Sequence, residues 1–424
     1  MKSKWSFLVV FWMFGFFHMA NAQFSFNGQY VVRGEYRNGF FQPIEYDKKP
    51  AFLLAHRARM QAEYLHDDFS FFMSVQDVRT WGSTSQLNVS DGFLSVHEAW
   101  GLVKFNPKWS LKVGRQELNY DNFRFLGNVD WALQARSHDL ALLRFENEFS
   151  KLHVGAAFNQ QTARLSETTY EQPNQYKTAQ FVRYETGSGA VPFSLLFWNE
   201  GRENTGEVFF RQTFGLSSFQ FGSPKMLKTS GFAYMQTGEN FDQLPISGWN
   251  VGVDLKREFT LDSAKNKKLE FALGGEILSG SKNGEEKDRS FLPQYGTNHL
   301  FNGFMDYFYV GGPYKQSVGL QDAYLKGRFI PNPKLWIQAD YHFFWTQQSL
   351  ASGAYKYLGS ELDLSFGLII NEAVSLQGGY SAFFAAESFK ELTQVSNPKN
   401  NQDWAYIMLI FRPNNKNRFI GVRL

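Results

Sequence analysis

From Phe24 onward the chain repeats one arrangement: about 9 to 14 residues of alternating polarity, then a turn. Phe52, Leu54, Ala58, Met60, Ala62 and Tyr64 hold one parity of such a run, and Arg57, Arg59, Gln61 and Glu63 the other. Trp249, Val251, Val253 and Leu255 alternate with Asn250, Gly252, Asp254 and Lys256. Leu335, Ile337, Ala339, Tyr341, Phe343 and Trp345 alternate with Gln338, Asp340, His342 and Thr346, and Leu358, Leu362, Leu364, Phe366 and Leu368 with Gly359, Glu361, Asp363, Ser365 and Gly367. A period of two is a strand with one apolar and one polar face. Soluble sandwich strands alternate too, but run to about 5 or 6 residues. Here large rings such as Tyr30, Tyr36 and Trp345 also collect at the ends of the apolar face. Long strands with aromatic girdles predict an all-β, transmembrane antiparallel barrel.

Counted along the chain, about 18 strands are separated by alternately short and long links. Short ones fall at Asp67-Asp68, Asn106-Pro107, Glu148 to Ser150, Thr186 to Gly189, Pro331 to Pro333 and Asn371-Glu372. Long ones cover 38–51, 80–92, 119–137, 160–175, 281–317, 347–355 and 387–402. That is the rhythm of short periplasmic turns and long extracellular loops. Two links, 217–227 and 259–267, are longer than the rhythm prefers. Glu98 falls in phase with Val96, Trp100 and Leu102, which predicts a bulge. Trp404 to Phe411 is apolar at both parities, so the inner face of the last strand is expected to pack against something.

Residues 1–22 read as a signal peptide: Lys2 and Lys4, an apolar run from Phe7 to Met19, and a small-x-small site at Ala20-Asn21-Ala22, with cleavage after Ala22. The barrel is then expected over 23–424, leaving no room for a plug domain ahead of it. No later stretch reaches the roughly 18 apolar residues of a membrane helix. Without cysteine, disulfides, thiolate metal sites and cysteine nucleophiles are excluded. The net charge of +3, near +1 without Lys2 and Lys4, gives no sign of a nucleic-acid partner.

Catalytic and cofactor motifs are missing. There is no G-x-S-x-G, Walker loop or G-x-G-x-x-G. His97-Glu98 opens like a zinc-protease helix motif, but position 101 is Gly and the segment reads as strand, so no metal is expected. No enzyme activity and no cofactor are expected. What remains is charge at inward parity: Arg33, Arg57, Arg59, Arg183, Arg211, Lys256, Lys326 and Arg328, with Glu35, Glu63, Glu185, Asp254, Asp322, Asp340, Glu361 and Asp363. A lipid-facing charge at the bilayer midplane costs about 2–4 kcal/mol, so these must meet water or partners.

The block Glu98-Ala99-Trp100, Val113 to Leu118, Arg124 to Gly127, Asp130-Trp131 and Arg136 to Asp139 resembles the central motif of the alginate-export family of outer-membrane barrels. Gln76 to Gly82, Phe291 to His299 and Gly319 to Asp322 resemble that family too. The resemblance implies an 18-stranded monomer in the bacterial outer membrane, with an Arg-lined lumen narrowed by inward loops and passing an acidic polysaccharide. It implies Arg79, Arg115, Arg124, Arg136 and Arg144 at the constriction, alongside the inward Arg57, Arg59, Arg183, Arg211 and Arg328. Outer-membrane lipid, an anionic polysaccharide and periplasmic export components are the expected partners. The near-neutral charge keeps a second expectation open, a general or specific porin for small solutes.

Overall fold

The computed structural model describes residues 23–422 apart from 89, 188–190, 283, 309–317, 351, 352, 354, 394 and 414–417. The expected signal peptide lies outside the described residues. Among them eighteen strands form one closed antiparallel sheet. They are β1 (Gln23–Asn38), β2 (Ala51–Leu65), β3 (Phe69–Thr80), β4 (Leu94–Lys104), β5 (Trp109–Gln116), β6 (His138–Glu146), β7 (Ser150–Phe158), β8 (Thr178–Thr186) and β9 (Phe193–Asn204). Then follow β10 (Glu207–Ser223), β11 (Leu227–Glu239), β12 (Pro245–Asp262), β13 (Lys267–Leu278), β14 (Leu320–Asn332), β15 (Leu335–Thr346), β16 (Tyr357–Ile369), β17 (Val374–Ala385) and β18 (Gln402–Phe411). Consecutive strands pair, and β1 closes the cylinder against β18 from Tyr30↔Phe411 to Asn38↔Asp403. Closure satisfies both edges, which a sheet in hydrocarbon must do.

The alternation decides which face is which. Phe24, Phe52, Met60, Val113, Phe214, Leu255, Leu325 and Ile337 are exposed on the outside of the cylinder. On the opposite parity Arg57, Gln338, Asp340 and Gln377 are buried. Rings pair on the outer face at both ends: Tyr30 with Phe411 at the short-turn end (6.2 Å), Tyr36 with Phe52 (5.2 Å) and Trp345 with Tyr357 (5.7 Å) at the other. An apolar band between aromatic rings suits a bilayer and would be costly in water.

Three local expectations meet the geometry. The β3–β4 register jumps from Ser74↔Glu98 to Val75↔Val96, leaving His97 unpaired, which is the bulge at Glu98. The long links at 217–227 and 259–267 are corrected: β10 runs to Ser223 and β12 to Asp262, leaving turns of residues 224–226 and 263–266. A bulge between Leu216 and Phe219 breaks the alternation of β10 and hides its continuation. Leu358 is corrected as well. The β15–β16 register skips it, so it turns inward and is fully buried rather than sharing the outer face of Leu364.

Candidate functional site

Inside the cylinder the polar wall does not face an empty tube. Residues 117–137 and the described residues of 279–319, the links after β5 and β13, fold inward and carry two apolar clusters with them. Phe125, Leu126, Phe291 and Tyr295 pack on Phe181, Trp198 and Tyr234 of the β8–β11 wall. Trp131, Leu133, Phe304 and Met305 pack with Val31, Phe344, Trp404, Tyr406 and Met408. The apolar inner face of β18 therefore has its partner. A short α1 (Glu387–Thr393) adds Phe389 to the same cluster.

Arginines fasten these loops. Arg57 is wholly buried, lies 2.8 Å from Asp130, and donates to the Leu133 carbonyl at 3.0 Å. Asp130 also accepts from Arg412, just beyond β18, at 2.8 Å. Burial would raise the Asp130 carboxyl, but the Arg57 and Arg412 guanidiniums outweigh it and hold it below the usual range. Arg124 is buried between wall and loop, donating to Glu276 of β13, to Asn298 at 2.8 Å and to Asn302 at 3.1 Å. Trp131 stacks on His299 at 4.1 Å, and the Arg33 guanidinium lies 4.6 Å from its centre. One inward loop is thus stacked on the other.

A third element enters from the short-turn end. Residues 418–422, after β18, run along the inner wall: Gln377 receives the Ile420 N–H at 2.9 Å and donates to its carbonyl at 2.7 Å. Ser375 donates to the Arg418 carbonyl, and Phe419 meets Trp336 edge-on. Gly421, at φ +66°, lies so close to Trp131 that a Cβ would fall 2.4 Å from the indole. This segment caps Ile410 and Met408 with Ile420.

Besides a more apolar cavity of about 490 Å³ between Arg33, Phe40, Trp131 and His299, two polar chambers are left among the described residues. The one toward the long loops, about 540 Å³, is lined by Gln76, His97, Arg136, His138, Tyr176 and Tyr295 among others. The other, about 450 Å³, opens toward the short turns and is lined by Asp121, Arg183, Glu185, Ser194, Asp254 and Lys256 among others. Loop 117–137 contributes to both, Asp121 to the inner chamber and Gln134 to Ser137 to the outer. Asp121 is held by Arg183 at 2.7 Å and Ser194 at 2.6 Å.

The ten arginines read from the sequence therefore separate. Arg57, Arg59, Arg144, Arg183, Arg211 and Arg328 sit on inward positions. Arg59 donates to Gln76, Arg144 to Glu146 at 2.7 Å and Arg328 to Gln338, while Arg211 sits across from Glu200. Arg136 reaches the Gly296 carbonyl at 3.2 Å beside the outer chamber. Arg124 is a buried fastener and faces neither chamber. Arg79 lies opposite His56 at the outer parity of the β2–β3 ladder, bonded to Asp77 and Asp91, and Arg115 meets Asp139 at the rim at 2.8 Å. At the rim Arg115 nonetheless lines the outer chamber together with Arg136, and Arg79 lines the more apolar cavity with Arg33 and Arg37. Sequence reasoning missed Asp130, Trp131 and Glu276 as fastening points. Their only signal was Asp130-Trp131 inside the quoted block.

No family model and no curated protein sequence matches the chain, so the alginate-export resemblance gains no support from either comparison. Solved structures do match. The outer membrane protein OpdK of Pseudomonas aeruginosa aligns with a TM-score of 0.59 at 10% identity, over 92% of this chain and 98% of that one. OccK3 (OpdO) of the same organism aligns at 0.57 and 12% identity, over 92% and 95%, and OccAB4 of Acinetobacter baumannii at 0.58 and 10%, over 92% and 98%. At such identities the likeness is one of fold: this chain has the barrel of those proteins.

Proposed function

We propose that the protein is a passive channel of the bacterial outer membrane for small polar solutes, the long loops facing outward and the short turns the periplasm. The observation that carries this is the filled lumen. Two loops and residues 418–422 are stitched to the wall, and the space left is divided into chambers of about 540, 490 and 450 Å³. Those volumes suit a small molecule. An extended acidic polymer needs a continuous bore, and passage of such a chain would require breaking buried ion pairs such as Arg124–Glu276. Small-solute transport is therefore favoured over polysaccharide export. The charge of the inner chamber agrees, because Arg183 and Lys256 stand there with Asp121, Glu185 and Asp254. Rings of one sign select ions of the other, and a mixed lining selects weakly. The known OpdK structure with vanillate is that of a barrel holding a small carboxylate, and a solute of that size fits either chamber here.

In planar bilayers the purified protein should give discrete conductance steps, with a reversal potential near zero across a potassium chloride gradient. A strong anion preference, abolished by Arg183→Ala, would favour the polyanion reading instead.

A further inference from the structure

Successive residues of a strand point to opposite faces, so His97 and Glu98 should not share one. The β4 bulge removes that constraint. His97 drops out of the pairing and is buried, and Glu98 sits opposite the fully buried Ser74. Bulges of this kind re-aim side chains next to functional sites. A third group comes from the inward loop: Glu117, the first residue after β5. One nitrogen of His97 and one carboxylate oxygen each of Glu98 and Glu117 lie within 4.8 Å of one another, with His97 Nε2 2.8 Å from Glu117 Oε1.

The surroundings suit a cation. Asn119 and Asn128 donate to Glu117 Oε2 at 2.9 and 2.8 Å, fixing the carboxylate while Oε1 faces His97. The Glu117 N–H donates to Glu98 Oε1 at 3.1 Å. Outer hydrogen bonds that orient ligating carboxylates are a regular part of metal sites. Among the ion pairs of the described residues, Arg59 is the arginine or lysine that reaches this group, 3.9 Å from Glu117. Lys112, a second cation near these carboxylates, lies over the Trp100 ring at 3.9 Å and makes no ion pair with them among the described residues. The outer chamber, which His97 lines, leaves room for water to complete a coordination shell.

We propose that His97, Glu98 and Glu117 bind one divalent first-row transition-metal ion such as Zn²⁺ or Co²⁺. One imidazole and two carboxylates match the donor preference of these ions. Bound there, the ion would tie loop 117–137 to the wall where the loop turns inward. The helical metalloprotease pattern that His97-Glu98 lacks is not needed, because the bulge supplies the convergence.

The test uses the full-length barrel in detergent, stripped with a chelator and titrated with Co²⁺ alone and then Zn²⁺ alone. Calorimetry should give one ion per chain, with d–d absorption for Co²⁺ and a rise in unfolding midpoint on saturation. Glu98→Gln keeps shape and acceptor oxygen, so it leaves the fold readable, and it should weaken binding at least about 10-fold. His97→Ala should do the same or more. No saturable binding by the wild type, or binding that Glu98→Gln and His97→Ala both leave unchanged, would overturn the proposal.

Discussion

Arg412 and Asp130 are 282 residues apart and joined at 2.8 Å inside the barrel. Through that contact and Arg57 on the other carboxylate oxygen, the end of β18, the wall of β2 and the inward loop become one unit. Removing the carboxylate leaves two buried guanidiniums without it. Breaking such a pair costs about 3–5 kcal/mol. Asp130→Ala should fall near 3 kcal/mol, because the Asp130 side chain keeps 24% exposure. The check is the unfolding midpoint in detergent, with flickering between conductance levels as loop 117–137 loosens.

The same aspartate gives the lumen a pH response. Its carboxyl is held below the ordinary aspartate range in the folded protein, so it binds fewer protons there than in the unfolded chain. Its stabilising effect is present above that ordinary range and is lost as pH falls through the lowered value. Acidification below about pH 4 should lower the unfolding midpoint more in the wild type than in Asp130→Asn, which has no proton to gain there.

Residues 418–422 should restrict the short-turn end. Deleting 413–424 uncovers Met408, Ile410 and Trp131. The truncated barrel should conduct more per step than the full chain, and a synthetic peptide of the deleted residues, added from that side, should lower the conductance again. Equal conductance of the two forms would remove this segment from the path.

Arg124 and Glu276 supply a coupled pair. Arg124→Ala leaves a buried carboxylate with Asn250 and Asn302 as its donors among the described residues, and should cost about 3–5 kcal/mol. Adding Glu276→Gln removes the stranded charge and should restore part of that loss. A double-mutant cycle reads the coupling.

The cylinder was legible in the sequence because its cause is local: parity along each strand and the alternation of link lengths. The bulge at His97 showed as a phase error, and the double-sided apolar β18 announced an unseen partner. What fills the lumen was not legible. Trp131 meets His299, and Ile420 meets Gln377, through contacts that no periodicity encodes. Inward parity likewise places Arg57 and Arg183 on the wall but does not tell a fastened arginine from one that meets a solute. Arg79 and Arg115 came from the family resemblance alone; their strand parity points outward, yet at the rim Arg115 still lines the outer chamber.

The most direct test is entry of solutes into liposomes carrying the folded barrel. Loops fastened across the lumen predict rapid swelling with monosaccharide-sized solutes, a sharp decline as the solute lengthens, and a higher cutoff in Asp130→Ala. Free passage of long polysaccharide, or no swelling with any solute while the barrel is correctly inserted, would contradict the account.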